Sequence, residues 1–234
     1  MGAGNVTWGG QSPNYRRHRP VPALVLILVL GIAATIVWIR VLGSGAPAAN
    51  STSCAPPSGP PVTVEGQPPT TLGQALDLDA LDRTPPAPPA LSQIRVVNAS
   101  TRKGQAAEVT EALRQIGFGQ IAPPDNDPLY SGFDLNCRAQ IRFGQQGTSA
   151  ARTLSLVEPC AQLVRDDRQD ATVDLALGKL FDDIRPRSDT RRVLEELNNW
   201  AVTHPEIQGG LQSDPSAQPD IEPSRLASAR EVTC

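Results

Sequence analysis

Aromatic side chains are scarce in this sequence: four Phe, three Trp and two Tyr among 234 residues. A core with so few rings must be small and aliphatic, and a sugar-stacking surface has little material to draw on. Histidine occurs only at His18 and His204, and the four cysteines show no C-x-x-C spacing, so the usual zinc-ligand sets are missing. The net charge is −3 and the basic residues are scattered, which gives no general attraction to nucleic acid. G-x-S-x-G, G-x-G-x-x-G and G-x-x-x-x-G-K-[ST] are all absent. The acidic pairs at 166–167 and 182–183 fall at element ends, where solvated acids and turn caps are commonplace. Neither a catalytic set, a metal site nor a cofactor site is expected.

One long apolar run is present, "VPALVLILVLGIAATIVWIRVL" at 21–42. As a helix it covers roughly 30 Å, the thickness of a bilayer's hydrocarbon core. Arg16, Arg17 and Arg19 precede it and only Arg40 follows closely, so the N-terminal side is expected to stay in the cytoplasm. Residues 1–22 then read as a cytoplasmic tail, 23–42 as a single-pass membrane anchor and everything beyond as extracytoplasmic. The "APA" at 46–48 offers a signal-peptide alternative, but the apolar run is longer than a signal h-region. Proline is abundant, with 23 residues, and "APPSGPP" and "RTPPAPPA" make 43–90 read as a proline-rich linker. Within it "TTLGQALDLDALDR" suggests a helical turn or two.

The folded part is expected to start near Leu91. "IRVVN" reads as a strand, and the following helix puts Ala106, Val109, Leu113 and Ile116 on one face. Asn98, Ser100 and Thr101 are placed to cap that helix. "GFGQIAPP" adds a short strand ended by Pro123 and Pro124. A second strand, helix and strand follow in "CRAQIRFG", "GTSAARTLSLVEP" and "AQLVRD", and "ATVDLALG" is a further strand. "SDTRRVLEELNNWAVTH" predicts a helix with Val193, Leu197 and Trp200 on its apolar stripe. The predicted fold class is α/β: a two-layer sandwich of two strand-helix-strand units over 91–182, with a C-terminal helix over 183–208 and a flexible tail over 209–234.

These elements resemble the LytR C-terminal domain family. The family's strand end, Gly-x-Ala helix start, Gly-Phe exit and closing Leu-Gly fall at Asn98, Ala99, Gly104, Ala106, Gly117, Phe118, Leu177 and Gly178. With the anchor, the proline-rich segment and the outer cysteines, the whole chain resembles a family of actinobacterial envelope integrity proteins. That resemblance implies a non-catalytic role in maintaining the cell envelope. The large catalytic domain of full-length LytR/CpsA/Psr proteins has no counterpart here.

All four cysteines lie beyond the apolar run, where disulfides are permitted. In a strand-helix-strand unit Cys137, before the strand, and Cys160, after the helix, come to the same end, so they are the expected first pair. Cys54 and Cys234 then form the second, although an intermolecular bridge through either terminal cysteine stays open. The candidate binding surface is the polar sheet face carrying Arg138 and Arg142, joined by Arg95, with Tyr130 and Phe133 in the adjacent loop. Arginines there would pair with phosphate or carboxylate on a wall polymer; the bland alternative is a solvated face. The expected partners are the membrane and either a cell-wall glycopolymer or an envelope-assembly protein, with no nucleic acid. A wall-glycan transferase or hydrolase, or an accessory subunit of a LytR/CpsA/Psr-type glycopolymer ligase, is the alternative function.

Overall fold

A computed structural model describes residues 29–35, 52–60, 71–204, 219–231 and 234. The chain divides into two units, 1–48 and 49–234. In the first, residues 29–35 are helical with Val29, Leu30 and Ile32 exposed. Among the described residues no helix is long and apolar enough to cross a membrane, and most of the expected 23–42 span lies outside them.

The second unit is built on one mixed sheet. Its strands are β1 (Gln74–Leu76), β2 (Gln93–Asn98), β3 (Gln120–Ile121), β4 (Asp125–Asn126), β5 (Ala139–Phe143), β6 (Gln162–Arg165) and β7 (Val173–Leu177). The order is β1-β6-β5-β7-β2-β3, with β4 also paired to β2. Helix α1 (Gln105–Gln115) connects β2 to the parallel β3, and α2 (Thr148–Val157) connects β5 to the parallel β6. The two strand-helix-strand units are therefore present. They meet at β7, which runs parallel to β2 and antiparallel to β5. Helices α3 (Ser188–Thr203) and α4 (Pro223–Arg230) complete the unit.

Alternation explains the main core. Ile94 and Val96 of β2, Ile141 and Phe143 of β5 and Leu175 of β7 share a cluster with Val109 and Leu113 of α1 and Leu154 of α2. A smaller cluster of Leu156, Val193, Leu197, Ile221 and Ala229 joins α2, α3 and the C-terminal segment. The other sheet face is buried as well, which the two-layer expectation did not include. Val97 and Ala176 lie beneath Leu129, Tyr130 and Leu135 of the loop before β5, and Cys54 packs on the same cluster.

Several local expectations change. The segment read as helical turns contains strand β1, antiparallel to β6, and Leu81 beyond it is 1% exposed in the main core. Much of the expected linker is therefore part of the fold. The expected flexible tail contains α4, with Ile221 and Ala229 buried. Asn98 and Ser100 tie the β2–α1 loop to itself: Asn98 Nδ2 donates to Arg102 O at 2.9 Å and its Oδ1 accepts from Ser100 N at 3.0 Å. Helix α1 instead begins after Gly104, in the left-handed region at φ 79°, with no side-chain cap. Trp200 is half-buried and stacks on His204 with ring centroids 4.5 Å apart, while Leu194 and Ala201 complete the buried stripe of α3.

The disulfide pairing is also different. The bonds are Cys54–Cys137 and Cys160–Cys234, with Cα separations of 4.9 and 5.5 Å. Cys137 and Cys160 do flank the same strand-helix unit, but on opposite sides of the sheet. Cys137 belongs to the loop-covered cluster with Cys54, whereas Cys160 follows α2 and lies beside Ala229 and the end of α4. Sharing one end of a unit does not bring two sulfurs together across a buried sheet.

Candidate functional site

The register sets Arg95, Asp174 and Arg142 side by side on the face turned away from α1 and α2. Arg95 donates to both Asp174 oxygens at 2.8 Å, and Arg168 Nη2 reaches Asp174 Oδ2 at 2.8 Å. Burial of Asp174 favours its neutral form, yet the hydrogen bonds from Arg95 and Arg168 hold its carboxyl below the usual range. Arg142 forms a second forked pair with Asp127, at 3.0 and 2.6 Å, and its Nε donates to Gln140 Oε1 at 3.0 Å. Its guanidinium also lies 5.4 Å from the centre of the Tyr130 ring. Tyr130 is fully buried and donates its hydroxyl to Ala55 O at 2.8 Å. Ser58 N donates to Asp134 Oδ2 at 2.9 Å, fastening residues 52–60 over the loop.

The expected binding surface is thus not an open one. Arg142 and Tyr130 are interior groups whose donors meet protein acceptors, and Arg95 is 40% exposed but committed to Asp174. Phe133 is half-buried in the turn after Tyr130, with its N–H donating to Tyr130 O at 2.8 Å and φ at 52°. Arg138 is not part of that network. It pairs with Glu158 at 2.5 and 3.1 Å, donates to Asp182 and to Asp183 O, and lies 5.1 Å from the Phe181 ring centre. Burial lifts the Glu158 carboxyl above its usual range despite Arg138. Among the described residues no group of three or more His, Cys, Asp or Glu could hold a metal ion.

Another concavity lies elsewhere. It is an open groove of about 1210 Å³ between residues 82–86, helix α2 and the segment 219–231. Thr153 Oγ1 donates to Ala87 O at 2.5 Å and Ala87 N donates to Ser149 O at 3.1 Å, which fixes the 82–87 segment on α2. Behind the far wall, Thr190 Oγ1 donates to Ala229 O at 3.1 Å and Arg225 pairs with Glu196 at 2.6 Å, which fastens α4 to α3. Arg152 of α2 and Arg230 of α4 both donate through Nη1 to one oxygen, Asp82 Oδ1, the first at 2.8 Å. Burial pulls both guanidiniums below their usual range. Pro85, Pro86, Ile221, Pro223 and Leu226 form the apolar walls.

Residues 92–181 match the family described as LytR cell envelope-related transcriptional attenuator. Over 188 residues the chain is 37% identical to the cell envelope integrity protein Cei of Mycobacterium tuberculosis, covering 80% of this chain and 85% of that protein. The chain belongs to the Cei family. A solved structure, the soluble domain of a conserved hypothetical secreted protein from Mycobacterium marinum, is 35% identical with a TM-score of 0.58. It covers 70% of this chain and all of that one.

Two motif glycines of this Cei-family chain are backbone devices, while Ala106, Phe118 and Leu177 pack in the main core. Gly104 starts α1 and Gly178 ends β7 in close contact with the loop before β5. The groove residues were missed because Asp82 and Arg230 belong to segments that read as linker and tail. Arg152 did leave a signal. It is the one charged residue in "SAARTLSLV", a stretch otherwise small or apolar, and a charge at a buried helix position needs a reason.

Proposed function

We propose that this chain is a membrane-anchored extracytoplasmic protein that supports cell envelope integrity by binding, without catalysing a reaction itself. Its ligand is a cell-wall polymer or an envelope-assembly protein, and the groove between α2 and α4 is where it binds. The observation that carries this reading is the groove's construction. Three chain segments far apart in sequence converge on it, and hydrogen bonds and an ion pair tie residues 82–87 to α2 and α4 to α3, so its walls are set before any ligand arrives.

The relatives support the compartment. One is named for cell envelope integrity and another is described as secreted, and two disulfides suit an oxidising exterior. The apolar run at 23–42 would hold the domain at the membrane surface.

Affinity capture from crosslinked cells tests the reading. Wild-type full-length chain should retain a defined envelope polymer or protein, and Ala227→Trp, which places an indole on the groove wall, should lose it. Equal retention by both would place binding elsewhere.

A further inference from the structure

Arg152 is the largest unexplained investment of charge in the fold. Its side chain is 2% exposed, and among the described residues its Nε has no hydrogen-bond partner and its single acceptor is Asp82 Oδ1. Arg230, with a side chain 14% exposed, uses that same oxygen. Two guanidiniums carry ten N–H donors between them, and here they share one acceptor atom. The arginine pairs of the outer sheet face are different: Arg142 and Arg95 each occupy both oxygens of a carboxylate. Burying donors without acceptors is costly, so a pair left in this state at the base of an open groove is suited to receive oxygen atoms from outside.

Charge narrows the chemistry. Arg152 and Arg230 against Asp82 leave one net positive charge at this point. Beyond these three, Arg83, Asp220 and Glu231 line the groove and Asp79 acts electrostatically on Arg230, so among the described residues the surrounding acids outnumber the one further cation. They would oppose a doubly charged group. A singly charged tetrahedral anion offers several oxygens to two forks and balances the surplus. We infer that the groove binds a phosphodiester group, held by Arg152 and Arg230, with the body of the ligand lying along Pro85, Pro86, Ile221 and Leu226. This rests on the reading of the groove as the binding site and adds the ligand's chemistry to it. A lipid headgroup and a wall-polymer linkage both present such a diester.

Calorimetric titration of the full-length chain in a phosphate-free maltoside detergent, with protein-free detergent as the blank, tests it with two probes. Glycerophosphoglycerol carries the diester alone, and dihexanoyl phosphatidylglycerol carries it with short acyl chains. Saturable binding of at least one probe is expected, weakened by about tenfold or more in Arg230→Gln, since a charge-assisted hydrogen bond is lost. Asp82→Asn removes the competing carboxylate and should tighten binding, a gain that loss of structure would not produce. Tighter binding of the acylated probe would identify a lipid source, and equal binding a polymer-type diester. No saturable heat from either probe, or wild-type affinity in both variants, overturns the assignment. If envelope capture depends on Ala227 while neither diester binds, the binding role stands and the phosphodiester assignment falls.

Discussion

Arg142 and Asp127 form a forked ion pair whose side chains are 2% and 0% exposed. The pair joins β5 to the loop that covers the outer sheet face, and Asp127 Oδ1 also accepts from Leu129 N at 2.9 Å. Removing one partner leaves a buried charge without compensation. Asp127→Ala is therefore expected to cost about 3–5 kcal/mol of unfolding free energy, measured by urea denaturation. Replacing both, as Arg142→Met with Asp127→Leu, should recover much of that loss. A single substitution costing under about 1 kcal/mol would show that the loop layer does not depend on this pair.

Two acids give the domain opposite pH responses. Burial raises the Glu158 carboxyl, so the folded state holds its proton more tightly than the unfolded chain. Stability should fall as pH rises from the ordinary carboxylate range through that raised value, and level off above it. For Asp174 the folded value is lowered, so its contribution is present above the ordinary range and is lost as pH falls through the lowered value. Urea midpoints from pH 3 to 8 should show Glu158→Gln removing the decline on the alkaline side. Asp174→Asn should remove part of the acid-side loss. A Glu158→Gln profile parallel to wild type would contradict the raised carboxyl.

The parts legible in sequence are those whose partners are local. β2, α1, β5, α2, β6, β7 and α3 each announce a face through their own periodicity. β1 does not, because "QAL" lies in a helix-like stretch and becomes a strand only by pairing with β6. Helix α4 has eight residues, too few to form unaided, and is held by contacts of Ile221 and Ala229 with α2 and α3 and by Cys234. Arg142 alternates with Ile141 and Phe143 and so reads as solvent-facing. Only Asp127, fifteen residues away in an irregular loop, reverses that meaning. The candidate site was illegible for the same reason, since Asp82, Arg152 and Arg230 meet through tertiary contacts alone.

Gly178 supplies a test of the motif that marks the end of β7. A Cβ there would lie 2.1 Å from Cys137 O and 3.0 Å from Leu135 O. Both are backbone atoms engaged with the same turn: Lys179 N donates to Leu135 O at 2.9 Å and Leu180 N to Cys137 O at 3.1 Å. Gly178→Ala must displace that backbone and is expected to cost roughly 1–3 kcal/mol, seen as a lowered Tm. Retention of the wild-type Tm would mean that the loop can yield without loss.

The two disulfides lie in different layers, and their removal should separate accordingly. Digestion without reductant, followed by mass spectrometry, should yield linked peptides joining Cys54 to Cys137 and Cys160 to Cys234. The Cys160→Ser, Cys234→Ser double variant opens a loop with a sequence separation of 74 and should lose about 4 kcal/mol on the chain-entropy model. It also releases the end of α4, so retention of the envelope ligand should weaken with it. The Cys54→Ser, Cys137→Ser variant opens a comparable loop, with a separation of 83. Its effect falls on the Tyr130 layer across the sheet, so it should lose similar stability while keeping ligand retention. If both variants lose retention equally at a temperature where both stay folded, the groove cannot be the element that binds.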